Sequence, residues 1–380
     1  MKEIYKKEIA SVLQIDPGKV FLYWKGRVAL YAALKAIGIK EGDEVILPAF
    51  TCVVVPNAIL YLGAKPVYVD IDPVNYNSDL NNLKNAITIK TKAIICQNTF
   101  GLSSNIESII EIARQNNIYT IEDCTHGFGG FYNGKPNGSY CDAAFYSTQW
   151  NKPFSTGIGG FLVVNNDSLI HRVRQFEEGK IKTQFTDDFI ISILIFSRKY
   201  FVNNFTQGSL INLFRFLSRH NIIIGSSQGE ELAGISVPKN YFKDISSSQI
   251  REGIKQLKNL ENLNNLRKKN AADYTKFLKL NKKTFVNEEL FPNHLFLKYP
   301  LLVKQREKFL NLARKEKINL GDWFVSPLHP VKENLNLWGF NTEEFPVSVE
   351  ISKKILNLPA EINDTGKVLK FLSKHLDLIE

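Results

Sequence analysis

In the first third of the chain, short apolar segments alternate with segments whose apolar residues recur at helical spacing. The strand-like segments are Glu44–Phe50, Pro66–Asp72, Ala93–Thr99 and Ile118–Asp123. Strands connected by single helices form parallel sheets, because each helical crossover returns the chain to the same edge of the sheet. The pattern therefore predicts an α/β fold in which a mostly parallel sheet is sandwiched between helices.

The chain has 380 residues, which is longer than most single domains. We predict a large domain over residues 1–245 and a smaller C-terminal α+β domain over residues 246–380. One long helix is expected from Ser246 to Leu278, because apolar residues recur there without a glycine or proline near the middle. His294–Val303 is expected to form a strand in the smaller domain.

Composition excludes several classes of function. The formal net charge is +10, but the lysines are scattered and form no basic block, so nucleic acid is not expected as a partner. The four cysteines lie far apart without a CxxC pair, which predicts neither a metal site nor a disulfide framework. The N-terminus lacks the apolar core of a signal peptide, and a cytoplasmic location is expected.

An acid and a lysine are placed as a pyridoxal phosphate enzyme requires. Asp123 ends the last strand-like segment, and Lys152 follows in a loop rich in serine and glycine. The acid would keep the pyridine nitrogen protonated, and the lysine would form the Schiff base. By position alone, a turn-capping Asp123 and a surface Lys152 are an equal alternative.

Two further features suit the phosphate of such a cofactor. Gly26 begins a predicted helix, Lys25–Ile39, where backbone N–H groups and the helix dipole attract an anion. Ser147 precedes Lys152 by five residues and could direct its hydroxyl to the same phosphate. A plain core helix is the alternative for the first feature.

The segment 187–229 is the least usual part of the sequence. It contains two apolar stretches interleaved with basic residues, among them Arg198 and Lys199. Such a pattern suits an amphipathic hairpin in contact with a membrane surface. It equally suits a hairpin that packs on a second subunit or over the active site, and we favour protein packing.

Several motifs together resemble the DegT-type sugar aminotransferases, which are fold-type-I pyridoxal phosphate enzymes. They are the segments Gly26–Thr51, Ile121–Gly130, Phe145–Gly160, Ser326–Pro330 and Phe345–Pro359. The resemblance implies pyridoxal 5'-phosphate as cofactor, a keto-sugar as substrate, most often linked to a nucleotide, and glutamate as amino donor. It also implies a homodimer and a role in making surface polysaccharides or glycoconjugates.

The resemblance assigns roles around the cofactor ring. Lys152 is the Schiff-base lysine and the acid/base that moves the proton. Asp123 pairs with the pyridine nitrogen, His126 lies near the ring hydroxyl, and Thr125 packs on one ring face. Ser147 binds the phosphate. Lys152 and Asp123 are thus the implied catalytic residues.

The resemblance also assigns residues to the cofactor phosphate and to the sugar substrate, although this chain differs from the family at some of these positions. Gly26, Arg27 and Val28 lie where the phosphate-binding helix begins, although Arg27 replaces a threonine. Cys52 stands at a cofactor-binding position where many members carry an aromatic residue. Ile158 replaces a commonly acidic residue. Thr51 and His329 are the implied substrate contacts.

Some questions stay open from the sequence. Many members have an asparagine that reaches the phosphate of the neighbouring subunit, but counting back from Gln249 places Phe242 there, and Asn240 is two residues away. The cross-subunit residue is therefore unassigned. A sugar dehydratase is an alternative activity, although dehydratases can lack the lysine that this chain keeps. A non-catalytic relative that acts as an interaction protein is the third hypothesis.

Overall fold

A computed structural model describes residues 1–103, 105–201, 216, 231–232 and 234–380. The helices of this part are α1 (Lys2–Leu13), α2 (Gly26–Ile37), α3 (Val54–Leu60), α4 (Leu80–Asn85), α5 (Ile106–Gln115), α6 (Asp167–Glu177), α7 (Phe185–Phe201), α8 (Ser247–Leu257), α9 (Leu260–Leu280), α10 (Arg306–Lys315), α11 (Pro346–Lys354) and α12 (Gly366–Lys374). The strands are β1 (Val20–Tyr23), β2 (Glu44–Pro48), β3 (Thr51–Cys52), β4 (Lys65–Val69), β5 (Thr91–Gln97), β6 (Tyr119–Asp123), β7 (Phe131–Tyr132), β8 (Lys135–Pro136), β9 (Ala143–Ser147), β10 (Gly160–Val164), β11 (Tyr299–Leu302), β12 (Leu328–His329) and β13 (Ile355–Leu358).

The central sheet has seven strands in the order β1-β10-β9-β6-β5-β2-β4. The strands from β9 to β4 are parallel to their neighbours, whereas β10 is antiparallel to both β1 and β9. Neighbouring residues of β2 point to opposite faces: Val45 and Leu47 pack with α2, and Ile46 packs with α5. The predicted α/β fold, with a mostly parallel sheet between helices, is confirmed.

The segment after Ser246 differs from the predicted single helix. It forms α8 and α9, which are separated at Lys258 and Asn259, and Asn259 leaves the helical conformation with φ −108° and ψ 5°. Leu257 and Leu260 flank the break and are both buried in the cluster that joins α1 to the sheet. The end of α8 and the start of α9 therefore each contribute a leucine to the same core.

The predicted strand His294–Val303 is also shorter in the structure. Only Tyr299–Leu302 forms a strand, because its antiparallel partner β13 has just four residues. The backbone N–H of Leu295 donates instead to the carbonyl of Gly101. These elements belong to a second hydrophobic core, which draws its buried residues from the range 271–379. The domain division at residue 245 stays a prediction.

A two-residue parallel ladder joins distant parts of the chain. Leu328 of β12 lies opposite Thr51 of β3, and His329 lies opposite Cys52. Leu328 is fully buried in the main core beside α2 and α3. This ladder therefore places the Ser326–Pro330 motif at the carboxyl end of β2.

The structure describes only the first helix of the unusual segment 187–229, together with Phe216. That helix, α7, buries Ile191 but leaves six large apolar side chains exposed. Five of them recur at helical spacing, namely Phe185, Phe189, Ile193, Phe196 and Tyr200, and Phe201 is the sixth. None of the helices in the described ranges combines the length and the apolar character needed to cross a bilayer.

Candidate active site

The predicted site residues gather at the carboxyl ends of β6 and β9. Asp123 ends β6, Ser147 ends β9, and Lys152 lies in the loop that leads to β10. In parallel sheets this edge is where ligands bind, because the loops that follow the strands can carry different side chains without disturbing the core. The parallel pairing of β6 and β9 brings the Asp123 and Ser147 ends of the two strands side by side.

Lys152 is half-buried among side chains of several elements. Burial lowers the pKa of Lys152 to about 8, and nearby Asp123 and Cys52 offset part of that effect. Its Nζ atom lies 4.7 Å from the centroid of the Trp323 ring. Lowering the pKa raises the fraction of free amine at neutral pH, and free amine is the form that attacks a carbonyl group.

The loop around Lys152 is held at its base and at one flank. The hydroxyls of Thr148 and Thr156 are 2.6 Å apart, and the N–H of Thr156 donates to the carbonyl of Thr148 at 2.8 Å. The guanidinium of Arg267 donates to the carbonyl of Pro153 at 2.8 Å. A Cβ on Gly159 would lie 2.2 Å from the Thr148 hydroxyl, so the closed base requires glycine there.

Asp123 presents a buried and oriented carboxylate. The backbone N–H of Thr125 donates to its Oδ1 at 3.0 Å, which fixes the carboxylate plane. Burial raises the pKa of Asp123, while the Thr125 hydrogen bonds and the charge of Lys152 oppose that rise. A carboxylate in this environment gains stability when a cation comes beside it.

His126 is buried and neutral. Its Nδ1 accepts the backbone N–H of Phe100 at 3.2 Å, so the neutral ring carries its proton on Nε2. Burial holds the pKa of His126 well below its usual value, and the charges of Lys152 and Lys298 act in the same direction. His126 can therefore donate a hydrogen bond through Nε2 while it stays uncharged.

A glycine-lined contact lies at the N-terminus of α2. A Cβ on Gly26 would lie 2.8 Å from both the Ser147 Cβ and the Tyr146 carbonyl, and one on Gly160 would lie 2.3 Å from the Gly26 Cα. The helix N-terminus therefore touches the ends of β9 and β10 directly, beside the Ser147 hydroxyl. Val28 contributes a fully buried side chain to the core behind this contact.

Buried charges surround the same helix N-terminus. Arg27 and Glu231 form a salt bridge of 2.5 Å, and both side chains are only 4% exposed. Lys25 is 5% exposed. Burial lowers the pKa of Lys25 to about 8, with Glu231 opposing and Arg27 reinforcing that effect. Within the described part of the chain, Lys25 forms no salt bridge, and its Nζ lies 4.4 Å from the Trp24 ring centroid.

The β3–β12 ladder forms another wall. The N–H of Thr51 donates to the carbonyl of Pro327 at 2.8 Å, while the buried Thr51 hydroxyl has no hydrogen-bond partner among the described residues. His329 accepts the Val325 N–H through Nδ1 at 3.3 Å. Burial raises the pKa of Cys52, so its thiol stays protonated near neutral pH.

Trp323 links the ring side of the site to the C-terminal part of the chain. Its indole lies parallel to the His126 imidazole, with centroids 4.9 Å apart and an interplanar angle of 11°. The Nζ of Lys298 lies 5.3 Å from the Trp323 ring centroid. Asn357 accepts the backbone N–H of Trp323 at 3.0 Å, which fixes the position of this residue.

Residues 24–200 and 242–368 match the model of the DegT/DnrJ/EryC1/StrS aminotransferase family. This match covers well over half of the chain. The chain belongs to this family. The interruption of the match, between residues 200 and 242, overlaps the unusual segment 187–229.

Named relatives match only part of the chain. GDP-perosamine synthase of Escherichia coli O157:H7 is 42% identical over 152 residues, which is 40% of this chain and 42% of that protein. UDP-2-acetamido-2-deoxy-3-oxo-D-glucuronate aminotransferase of Pseudomonas aeruginosa is 42% identical over 151 residues, with the same two coverages. These matches span about two fifths of the length of each relative.

A solved structure of the family extends the likeness to the whole fold. The DegT DnrJ EryC1 StrS aminotransferase from Brucella abortus superposes with a TM-score of 0.75 at 21% identity. The superposition covers 98% of this chain and 90% of that one. The fold-type-I architecture is therefore confirmed over nearly the full length.

The structure brings the predicted site residues into one region. His126 and Lys152 both lie beside the Trp323 ring, Asp123 is close enough to Lys152 to affect its pKa, and Gly26 touches Ser147. Thr51, Cys52 and His329 lie together at the β3–β12 ladder. The role of each of these residues in binding cofactor or substrate stays a prediction.

Four residues of this region were not predicted from the sequence. Trp323 and Lys298 lie far along the chain from Lys152, and their positions depend on how the C-terminal part packs. Lys25 directly precedes Gly26, so its place beside the helix N-terminus was available as a signal. Glu231 lies in the interruption of the family match, where no family motif could identify it.

Pyridoxal phosphate fits the groups that are present. The glycine contact and Ser147 offer N–H and hydroxyl donors at a helix N-terminus. Lys25 adds a buried cation that forms no salt bridge with any described residue. A phosphate group would accept from the donors and pair with the cation. Asp123 would hold the ring nitrogen and His126 the ring hydroxyl. Lys152 would supply the amine that bonds the cofactor.

Proposed function

We propose that this chain is a pyridoxal phosphate-dependent aminotransferase that moves an amino group, from glutamate, to a nucleotide-linked keto-sugar. The observation that carries the proposal is the half-buried Lys152, whose pKa burial lowers to about 8, beside the carboxylate of Asp123. Family membership supports the reaction class. The names of the two relatives, a GDP-sugar synthase and a UDP-sugar aminotransferase, support the substrate class.

Pyridoxal phosphate, when bound, supplies an electron-withdrawing ring that stabilises a carbanion next to the amine nitrogen. Asp123 would hold a proton on the ring nitrogen, because a buried carboxylate stabilises an adjacent cation. His126 would donate its Nε2 proton toward the ring hydroxyl. Ser147 and the N-terminus of α2 would hold the phosphate and fix the orientation of the ring.

Lys152 would carry the proton between carbon atoms. Its lowered pKa leaves the free amine accessible near neutral pH, so Nζ can accept a proton from the donor's carbon and return it to another carbon nearby. The Trp323 ring beside Nζ excludes water from one side of this path. Shielding of this kind keeps the proton from exchanging with solvent before it is returned.

The first experiment is a titration of the purified protein with pyridoxal phosphate. Visible absorption of lysine-bound cofactor is expected in the wild type and not in Lys152→Ala, and glutamate should bleach the band. Identical spectra of the two proteins would refute the role of Lys152. Failure to bind any cofactor would instead favour the non-catalytic relative.

A second experiment separates transamination from dehydration. The cofactor-loaded protein is incubated with glutamate and a nucleotide-linked keto-sugar, and the product is analysed by mass spectrometry. An amino-sugar with equimolar 2-oxoglutarate is expected. A product that has lost water, with no 2-oxoglutarate formed, would identify the dehydratase activity instead.

We further propose that the protein works as a cytoplasmic homodimer. The family resemblance supports this proposal. Light scattering coupled to gel filtration tests it, with a mass of twice 43.3 kDa expected. A monomer that keeps full transaminase activity would contradict the proposal.

Membrane contact through residues 187–229 stays a separate proposal. The exposed apolar side chains of α7 support it, since Phe185, Phe189 and Phe196 offer aromatic surface to a lipid interface. Liposome co-sedimentation with and without residues 187–229 tests it. Equal sedimentation of the two proteins would exclude a membrane role for the segment.

A further inference from the structure

The helix α7 is anchored at its N-terminal end to the start of α8. Asp187 forms a salt bridge of 2.8 Å with Lys243, and the Asp188 carboxylate accepts the Ser248 N–H at 2.7 Å. Ile191, one turn further along, is buried. These contacts fix the direction of α7 across the surface of the molecule.

The other end of α7 reaches the loop that carries Lys152. Nη2 of Arg198 donates to the Asn151 Oδ1 at 3.0 Å, and its guanidinium carbon lies 4.8 Å from the centroid of the Trp150 ring. A Cβ on Gly157 would lie 3.3 Å from the Ile195 side chain. The last turns of α7 therefore lie directly on the loop.

The contacted residue adjoins Lys152 in the chain. Asn151 has a φ of +64°, in the left-handed region that asparagine tolerates at a cost of about 1 kcal/mol. The residue on the other side, Pro153, is held through its carbonyl by Arg267. Lys152 thus lies between two residues that each accept a hydrogen bond from an arginine.

We propose that Arg198 is a positioning residue for Lys152. It holds Asn151 in its left-handed conformation and covers Trp150, so that the lysine side chain stays directed into the site. The unusual segment 187–229, to which Arg198 belongs, is thereby coupled to the reactive amine. This inference rests on the proposed function, because the test detects the position of Lys152 through the absorption of the cofactor bonded to it.

The test measures the pH dependence of the visible cofactor band. In Arg198→Ala the loop relaxes and water reaches Nζ, so we expect the apparent pKa of the lysine-bound cofactor to rise by about half a unit to one unit. The rate of cofactor capture should fall several-fold, while KM for glutamate changes little. Arg198→Lys keeps a cation over Trp150, so its apparent pKa should shift less than that of Arg198→Ala.

Two comparisons make the result specific. Lys199→Ala removes the neighbouring cation of α7 and should leave the titration unchanged. Asn151→Gly tolerates the positive φ but removes the acceptor, so it should reproduce the part of the shift that depends on this hydrogen bond, and the double variant should shift no further than Arg198→Ala alone. If Arg198→Ala titrates like the wild type, or if the two shifts simply add, Arg198 does not position Lys152.

The outcome also separates this inference from the proposed function. A wild-type protein without a visible band would refute the assignment of Lys152 itself. A normal wild-type band that Arg198→Ala leaves unchanged would refute only the positioning role. Far-UV circular dichroism of each variant should match the wild type, because Arg198 is exposed and its removal leaves no cavity.

Discussion

The two ends of the site differ in their charged groups. The ring end presents the Asp123 carboxylate beside a neutral His126, whereas the helix end presents the cations of Lys25 and Arg27 with Glu231 as counter-charge. Pyridoxal phosphate has the complementary polarity, with a protonated ring nitrogen and an anionic phosphate. We therefore expect charge at both ends of the site to orient the cofactor.

The largest expected effect comes from removing the negative charge of Asp123 at the ring end. Asp123→Asn keeps the shape of the side chain but removes its charge, so the transaminase rate should fall by about 10²–10³-fold. Stopped-flow measurement of the reaction with glutamate checks this rate. Cofactor should still bind to the variant, since Lys152 and the phosphate end are intact. A rate within a factor of about five of the wild type would show that the charge of Asp123 is dispensable.

The next effect concerns the counter-charge at the helix end. Glu231→Gln removes the carboxylate that pairs with the buried Arg27 and lies near Lys25, which should lower the free energy of unfolding of the cofactor-free protein by about 3–5 kcal/mol. Urea unfolding measures this loss, and added pyridoxal phosphate should recover part of it.

Glu361→Gln provides the matched control for that variant. Glu361 pairs with the buried Arg267, but its own side chain is 42% exposed, so water can replace it. The expected loss is about 1 kcal/mol or less. Equal destabilisation by the two variants would mean that burial of the Arg27 pair has no special consequence.

A smaller effect is expected on the affinity for pyridoxal phosphate, and it tests whether Lys25 contacts the phosphate. Lys25→Met should weaken pyridoxal phosphate binding about tenfold, or ~1.4 kcal/mol, while binding of pyridoxal, which lacks the phosphate, stays the same. Absorbance titrations with the two compounds measure both affinities. Lys35→Met, an exposed lysine of the same helix, should change neither. Equal weakening of both compounds would place Lys25 away from the phosphate.

The smallest expected effect is a pH dependence of the free energy of unfolding of the cofactor-free protein. Burial lowers the pKa of Lys25 to about 8, against 10.5 for the free side chain. Below pH values of about 8, Lys25 is protonated in both the folded and the unfolded state, and the full free-energy cost of burying its charge lowers the stability of the folded state. Between about 8 and 10.5, Lys25 is protonated only in the unfolded state, so the free energy of unfolding rises with pH.

Lys25→Met should therefore be more stable than the wild type near pH 7.5 without cofactor. That advantage should shrink by about 1 kcal/mol by pH 9, as the wild-type lysine loses its proton in the folded state. Urea midpoints at the two pH values give the difference. An advantage that grows with pH would have the wrong sign for a buried ammonium group.

The sequence predicts the ring end of the site better than the helix end. Asp123 and Lys152 lie at positions set by local signals, the end of a buried strand and a loop of serine and glycine, so the pattern predicts both. The sheet follows from the alternation of apolar segments for the same reason. The positions of Glu231 and Trp323 depend on which distant segments pack together, and no local pattern encodes that, whereas Lys25 directly precedes Gly26 and could have been identified.

The departures in the fold have the same origin. The division of the predicted long helix into α8 and α9 falls at Lys258 and Asn259, where no glycine or proline marks a break in the sequence. The shortened β11 depends on the length of β13, more than fifty residues later. Periodicity identifies each element but does not determine where packing ends it.

The hydrogen bond from Arg267 to Pro153 has a consequence for the order in which the site forms during synthesis. A nascent chain exposes Asp123 and Lys152 early, but Arg267 emerges only after more than a hundred further residues, and Trp323 and His329 later still. The lysine loop therefore lacks its buried clamp while the large sheet is already able to assemble. A ribosome-bound chain stopped before Arg267 should consequently hold the reactive amine without the wall that shields it.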